Sequence, residues 1–221
     1  MAITTTTILD RVETTLLDTG NTAWTRAELL DYLNAMIRLV CLIKVDANVV
    51  TEAVSITTSE TKQTIPAAGY QFLRVVRNMG SGGSTIGNVV RKIEMNTLDR
   101  FDPTWQTATG SAVEHYMFDP RNPKQYWIYP RVTSTHFLEI EYAAIPDDVD
   151  EGDNDAIPIK DIYETPLYWG VLAHAFAKNA KRGDLQKHNY YVDLLTDALG
   201  SKQRVQAAFN PQPEESNTDG D

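Results

Sequence analysis

Residues 24–57, WTRAELLDYLNAMIRLVCLIKVDANVVTEAVSIT, carry two different periods along one stretch of chain. Leu29, Leu33, Met36, Val40 and Ile43 follow one another at spacings of four, three, four and three, which is the stripe of an amphipathic helix. Thr25 and Glu28 stand at capping-box spacing, and Trp24 and Leu29 hold the two positions of a hydrophobic staple, so the helix is predicted to start at Thr25 and to end near Val45 or Asp46. By Ala53 to Thr57 the helical period is gone and β-branched residues alternate instead. The chain therefore passes from helix to sheet near residue 48.

Upstream, Thr7 followed by Asp10 predicts a cap, and Ile8, Val12 and Leu16 give a short helix that Gly20-Asn21 should break, making a helical hairpin with the next one. Downstream, Lys62 to Ile65, Leu73 to Arg77, Asn88 to Glu94, Glu114 to Phe118, Gln125 to Tyr129 and Phe137 to Ala143 read as strands, with one helical turn over Thr97 to Phe101. Asp119-Pro120-Arg121-Asn122-Pro123 is dense in turn residues and predicts a hairpin. Gly80 to Gly87, GSGGSTIG, reads as a flexible loop, and Asp147 to Asp155, DDVDEGDND, as a solvated acidic linker. Beyond Pro158 the helical period returns. Gly170, Ala173, Ala177 and Ala180 form a small-residue stripe ending at Gly183, and a last helix from Asp184 carries Leu185, Val192, Leu195 and Leu199 towards Arg204 or Phe209. The predicted fold class is α+β, a helical bundle built from the N- and C-terminal helices with an inserted antiparallel β meander or sandwich. Residues 1–48 and 158–209 make the bundle, 49–157 the β domain ending in the acidic linker, and 210–221 a flexible acidic tail.

At 221 residues the chain is long enough to bury roughly 70% of its unfolded surface, and it needs neither disulfide nor metal for stability. Lys and Arg number 20 against 30 Asp and Glu, a formal charge of -10 that disfavours a protein built to neutralise nucleic-acid phosphates. The single Cys41, inside LVCLI, reads as a buried small hydrophobe. No apolar run reaches the length of a membrane span, and MAITTTTILD lacks the basic start and apolar core of a secretory signal, so a soluble chain folding in the cytoplasm is expected.

Chemistry by motif is absent. GSGGSTIG has no Gly-Lys-Ser/Thr ending, and Thr85 stands where a dinucleotide fingerprint needs its third Gly. Gly152 takes the place of the third ligand after Asp148 and Asp150, so the acidic run fails as a calcium loop. His115, His136, His174 and His188 are scattered, without i, i+4 pairing or a Cys partner, and no G-x-S-x-G elbow occurs. Catalytic, cofactor and metal residues are therefore expected to be none. Tyr116, Phe118, Tyr126, Trp127 and Tyr129 concentrate in one hairpin, where sheet packing explains them better than a ligand platform.

The order of WTRAELLDYLNAMI (24–37), QTIPAAGYQFLRVVRNM (63–79), VRKIEMNTLDRFDPTW (90–105), HYMFDPRNPKQYWIYP (115–130), LEIEYAAIPDDV (138–149) and YETPLYWGVLAHAFAKNAKRGD (163–184) resembles the head-to-tail adaptor (connector, or head-completion) proteins of tailed bacteriophages, over Ile8 to Phe209. That resemblance implies a non-enzymatic virion protein at the head–tail junction. It implies a ring, commonly a dodecamer, whose partners are the portal protein, tail or nozzle proteins and further copies of itself, with DNA passing through the lumen unbound and no membrane involved. It also suggests that Ala208, Phe209, Asn210, Pro211 and Gln212 grip the portal. An acidic lumen would not hold phosphates, and the same charge would keep free protomers apart until a template assembles them. Two other classes remain open: a β-domain binding module that uses the aromatic hairpin, and an unrecognised hydrolase.

Overall fold

A computed structural model describes residues 4–152, 156–178 and 184–209, with backbone alone at 184 and 201–209. The protein is mixed α+β, with five α-helices and nine strands among the described residues. It divides into two compact units, Met1–Lys44 with Asp148–Asp221, and Val45–Asp147.

The first unit is helical. In α1 (Thr5–Leu16) the cap is Thr4, whose hydroxyl accepts the Thr7 N–H at 3.2 Å. With four threonines in a row, the one that caps is decided by where Ile8, Leu9 and Val12 must face, and that sets the start three residues before the expected Thr7. The helix also stops early. Leu17 takes φ +56° and closes the last turn, and the Asp18 carboxylate then accepts the N–H groups of Thr22, Ala23 and Trp24, so Gly20-Asn21 lies in a loop already organised by Asp18. Leu16 is half-buried.

The predicted start of α2 (Arg26–Ile43) is correct: the Thr25 hydroxyl accepts the Glu28 N–H at 3.3 Å. Leu29, Leu33, Met36 and Val40 are buried as the stripe requires, but Ile43 is exposed and the helix ends there rather than at Val45. Helix α4 (Glu164–Ala177) packs against α1, α2 and α5 (Asp184–Phe209). The small-residue stripe acts at Gly170, where a Cβ would come within 2.3 Å of Met36 Cε. Ala173 is buried with it, Ala177 is exposed, and Ala180 and Gly183 lie outside the described residues. On α5, Leu195 and Leu199 are buried and Val192 half-buried, whereas Leu185 is exposed and does not join the stripe.

The second unit holds β1 (Val49–Ser55), β2 (Lys62–Thr64), β3 (Gly69–Asn78), β4 (Arg91–Lys92), α3 (Met95–Phe101), β5 (Thr109–Gly110), β6 (His115–Phe118), β7 (Gln125–Tyr129), β8 (Arg131–Val132) and β9 (Phe137–Ala144). The strands are ordered β1-β9-β3, β2-β7-β6-β4 and β5-β8. First strand pairs with last, so the connectivity is not that of a meander, and β4 and β5 run parallel to their partners. The physical reason is β9. Leu138, Ile140 and Tyr142 alternate with Glu139 and Glu141 along it, and a strand whose side chains are buried in the core needs a partner on each side for its own N–H and C=O groups, which β1 and β3 supply. The first two sheets share one core, Phe72, Val75, Leu138, Ile140 and Tyr142 meeting Tyr116, Tyr126 and Ile128.

Candidate functional site

Three places stand out, two polar clusters and an apolar groove with two histidines in its lining. The first lies in the helical unit around Arg26. Its guanidinium meets Asp10 and Glu13 of α1 at 2.7 Å each and Glu151 at 2.6 Å, and these partners, Glu151 first, hold its pKa above the usual value. One residue thus joins α1, α2 and the acidic segment. A second tie is Asn34, whose amide donates to the Val149 carbonyl at 3.0 Å and accepts the Val149 N–H at 2.9 Å, both buried. Arg38 pairs with Asp148. The acidic stretch keeps its carboxylates in solvent as expected, Asp148, Asp150 and Glu151 being exposed, but it is also tied to α2 at the buried Val149, whose backbone pairs with Asn34, while Arg26 and Arg38 meet Glu151 and Asp148. Residues 153–155 lie outside the described residues.

The second place is a groove of about 450 Å³ between α2, α4 and α5, walled by Met36, Leu39, Ile43, Leu195 and Leu199 with His174 and His188 among its lining. The His188 Nδ1 lies 2.8 Å from the Ala173 carbonyl, so that nitrogen carries its hydrogen and donates. His174 stacks on Tyr32 at 5.4 Å, and partial loss of water, then the neighbouring His188, lower its pKa. Tyr32 in turn donates to Glu28 at 2.7 Å, and Lys178 meets the other Glu28 oxygen at 2.5 Å. Lys178 chiefly, then Tyr32, hold the Glu28 carboxyl below its ordinary range, while desolvation and Glu28 push the Tyr32 hydroxyl up to about 12. The Thr25 N–H is the least of the Glu28 partners, so the predicted capping box is mainly one-sided. Cys41 is buried and its thiol pushed up to about 11 by desolvation, which makes it inert at neutral pH.

The third place is in the β unit. Asn78 is buried, donates to the carbonyls of Asn88 (2.9 Å) and Val113 (2.8 Å), accepts the Val113 N–H at 3.0 Å and lies 2.8 Å from His136 Nε2. It closes the base of Gly80–Gly87, where the Gly87 N–H donates to the Asn78 carbonyl and the Thr85 N–H to that of Met79. These two donors are used within the loop, and Gly83, at φ +74°, lies against the Phe137 ring, so the loop read as flexible is anchored at its base and at Gly83. The aromatic hairpin is packed on both sides: Tyr116 and Tyr126 enter the main core, while Met117, Trp127 and Tyr129 cover Leu98 and Trp105. No group of three His, Cys, Asp or Glu gathers at metal-binding geometry among the described residues.

Of the C-terminal segment singled out in the sequence, Ala208 and Phe209 fall in the last turn of α5, and Asn210, Pro211 and Gln212 lie outside the described residues. Sequence reasoning missed Arg26, Asn34 and Asn78. Asn34 had a signal, since it shares the i, i+3, i+7 line with the apolar Ile37 and Cys41, and a polar residue on such a line needs a partner. Among the described residues no helix is long and apolar enough to cross a membrane. A family model described as SU10 adaptor protein matches residues 3–214, and no curated protein matches the chain.

Proposed function

This chain belongs to the SU10 adaptor protein family, and on that footing we propose that it is a structural virion protein forming a ring between portal and tail, joining head to tail and giving DNA a channel. The helices of the two chain ends form the bundle of each protomer, and the β unit is the insertion. A family match over nearly the whole chain carries this reading, and the formal charge of -10 supports it, since a carboxylate-rich lumen lets a phosphate backbone slide without being held. Portal and tail or nozzle proteins are the partners, the ring is a dodecamer, and Ala208 to Gln212 dock on the portal at the end of α5. The apolar edge of α2, with Leu42 and Ile43 exposed, is a surface that such contacts would cover.

The test is to mix the purified protein with its cognate portal and determine the mass and symmetry of the complex. A twelvefold assembly is expected, and an uncomplexed monomer would remove the proposal. Truncation after Arg204 should leave the thermal transition nearly unchanged and weaken portal binding. Unchanged affinity would place docking elsewhere on the protein.

A further inference from the structure

Strand β1 is an edge of sheet β1-β9-β3, and its ladder with β9 runs through all seven residues without a register shift. The Asn48 carbonyl accepts the Ala144 N–H and the Ile56 N–H donates to the His136 carbonyl, which fixes the phase of the ladder. Residues 48, 50, 52, 54 and 56 exchange bonds with β9, so Val49, Thr51, Ala53 and Ser55 turn their N–H and C=O groups away from the sheet. No backbone partner for these outward groups occurs among the described residues. The opposite edge is different. On β3, Phe72 donates to the Pro123 carbonyl, the Val76 carbonyl accepts from Val90, Arg77 bridges to Val89, and the register with β9 shifts three times. Edges are ordinarily blunted by Pro, a bulge, a cover or a charged side chain; among the described residues β1 has none of the first three, and its one charge is Glu52.

On the core side of β1, Val50 and Val54 are half-buried against the core and Glu52 stands between them, exposed, with one carboxylate oxygen accepting the Tyr142 hydroxyl at 2.6 Å. We propose that this edge accepts an extended segment of another protein, added as a fourth strand with a Lys or Arg facing Glu52 and an apolar residue on each side over Val50 and Val54. The period of two along a strand sets that apolar–basic–apolar spacing, and a cation opposite Glu52 makes the favourable cross-strand pair. A second copy of β1 is a poor occupant, because the centred antiparallel register sets Glu52 against its counterpart and both chains carry -10. The chain's own end, NPQPEESNTDGD, has two prolines and four acids and suits the edge no better. This inference adds to the adaptor reading and does not depend on a ring.

The experiment uses the full chain and the blocked peptide Thr-Val-Thr-Lys-Thr-Val-Thr at about 1 mM, with exchange of the Thr51 and Ala53 amide hydrogens followed by NMR. The peptide should slow both amides tenfold or more, and a Glu-centred version should not. Glu52→Lys should reverse that preference, which tests the pairing by charge alone. Ala53→Pro should abolish protection by the peptide while the Glu52 and Val54 amides stay bonded to β9, since the Ala53 N–H points outward. If that variant loses the β9 ladder, the charge reversal decides by itself. The proposal fails if the Lys peptide leaves the outward amides unchanged, if Glu52→Lys keeps the original preference, or if the protein alone protects these amides with rising concentration.

Discussion

The β6–β7 hairpin and the far end of α2 differ in how well their sequence foretells their surroundings: the hairpin packs as its composition leads one to expect, and the helix end leaves open a surface that its stripe does not announce. The hairpin holds Tyr116, Phe118, Tyr126, Trp127 and Tyr129, and packing engages both its faces, one with Tyr116 and Tyr126 in the main core and one with Trp127 and Tyr129 half-buried over Leu98 and Trp105. The end of α2 holds plain aliphatics, and there Leu39, Leu42 and Ile43 reach solvent, Leu39 and Ile43 on the wall of an open groove. Aromatic density reports how much a sheet has to pack. An unpartnered apolar surface arises where a helical stripe outruns the helix it packs against, and periodicity alone is blind to that. Packing takes up most of the hairpin's aromatic surface, whereas the helices keep an apolar surface open to contacts of an assembling protein.

The contrast breaks first at Phe72, fully buried and stacked on Tyr126 at a 4.5 Å ring separation. Phe72→Ala should destabilise the β unit by about 3–5 kcal/mol. Amide exchange at Ile140 and Tyr142 reads the loss, and a change below about 1 kcal/mol would mean the hairpin is not packed as described. In the helical unit the corresponding weak point is polar. Asn34→Ala leaves the Val149 N–H and C=O without partners and should cost about 2–4 kcal/mol, measured by denaturant unfolding. Arg38→Ala, whose partner Asp148 is exposed, should cost less than about 1 kcal/mol in the same assay.

What the sequence made legible follows from this distinction. The bounds of β7 and the start of α2 at Thr25 emerged from local signals, because turn chemistry and caps act within a few residues. The pairing of β1 with β9 did not, since it joins residues about ninety apart and rests on β9 needing cover on both flanks. The acids at Asp148, Asp150 and Glu151 are solvated as their composition says, and only the facing side chains of Arg26, Asn34 and Arg38 reveal that the stretch Asp148–Glu151 is also tied to α2. The family was legible from the order of phrases, while the groove and the free edge of β1 depend on which neighbours are missing, which no local pattern encodes.

Two glycines in the helical unit sharpen the contrast between closed and open packing. At Gly170 an added methyl would sit 2.3 Å from Met36 Cε and 2.7 Å from Met36 Cγ, so Gly170→Ala should overpack by about 1–3 kcal/mol and outweigh a helix-propensity gain of at most about 1 kcal/mol. Gly200 has nothing within 4 Å of such a methyl, and Gly200→Ala should stabilise α5 by up to about 1 kcal/mol. Opposite shifts of the melting temperature are the expected result. Shifts of the same sign would mean that α2 and α4 do not meet at Gly170.

The smallest effect separates the two units by pH. His136 in the β unit is buried beside Asn78, and burial lowers its pKa below the ordinary 6.5. The folded state therefore binds fewer protons than the unfolded chain between the two pKa values, and stability is full above about pH 6.5 and falls as the pH drops through the depressed value. His174 in the helical unit is also depressed, by loss of water and then by His188, but its side chain is exposed and solvent screens the effect. The carboxyls of Glu28 and Glu141, lowered mainly by Lys178 and Arg74, lose their contribution only below their ordinary 4.5, outside the histidine window. Amide exchange between pH 5 and 7, from about 1.5 units below the ordinary histidine value to about 0.5 above it, should therefore show the β-unit amide of Ile140 losing protection on acidification more than the helical-unit amide of Val171. His136→Gln should flatten the β-unit response and leave the helical one in place. If acidification opens both units equally in that variant, the proton is being taken up elsewhere, with His174 of the groove the other histidine held low, and the Asn78 cluster is not the acid-sensitive part of the protein.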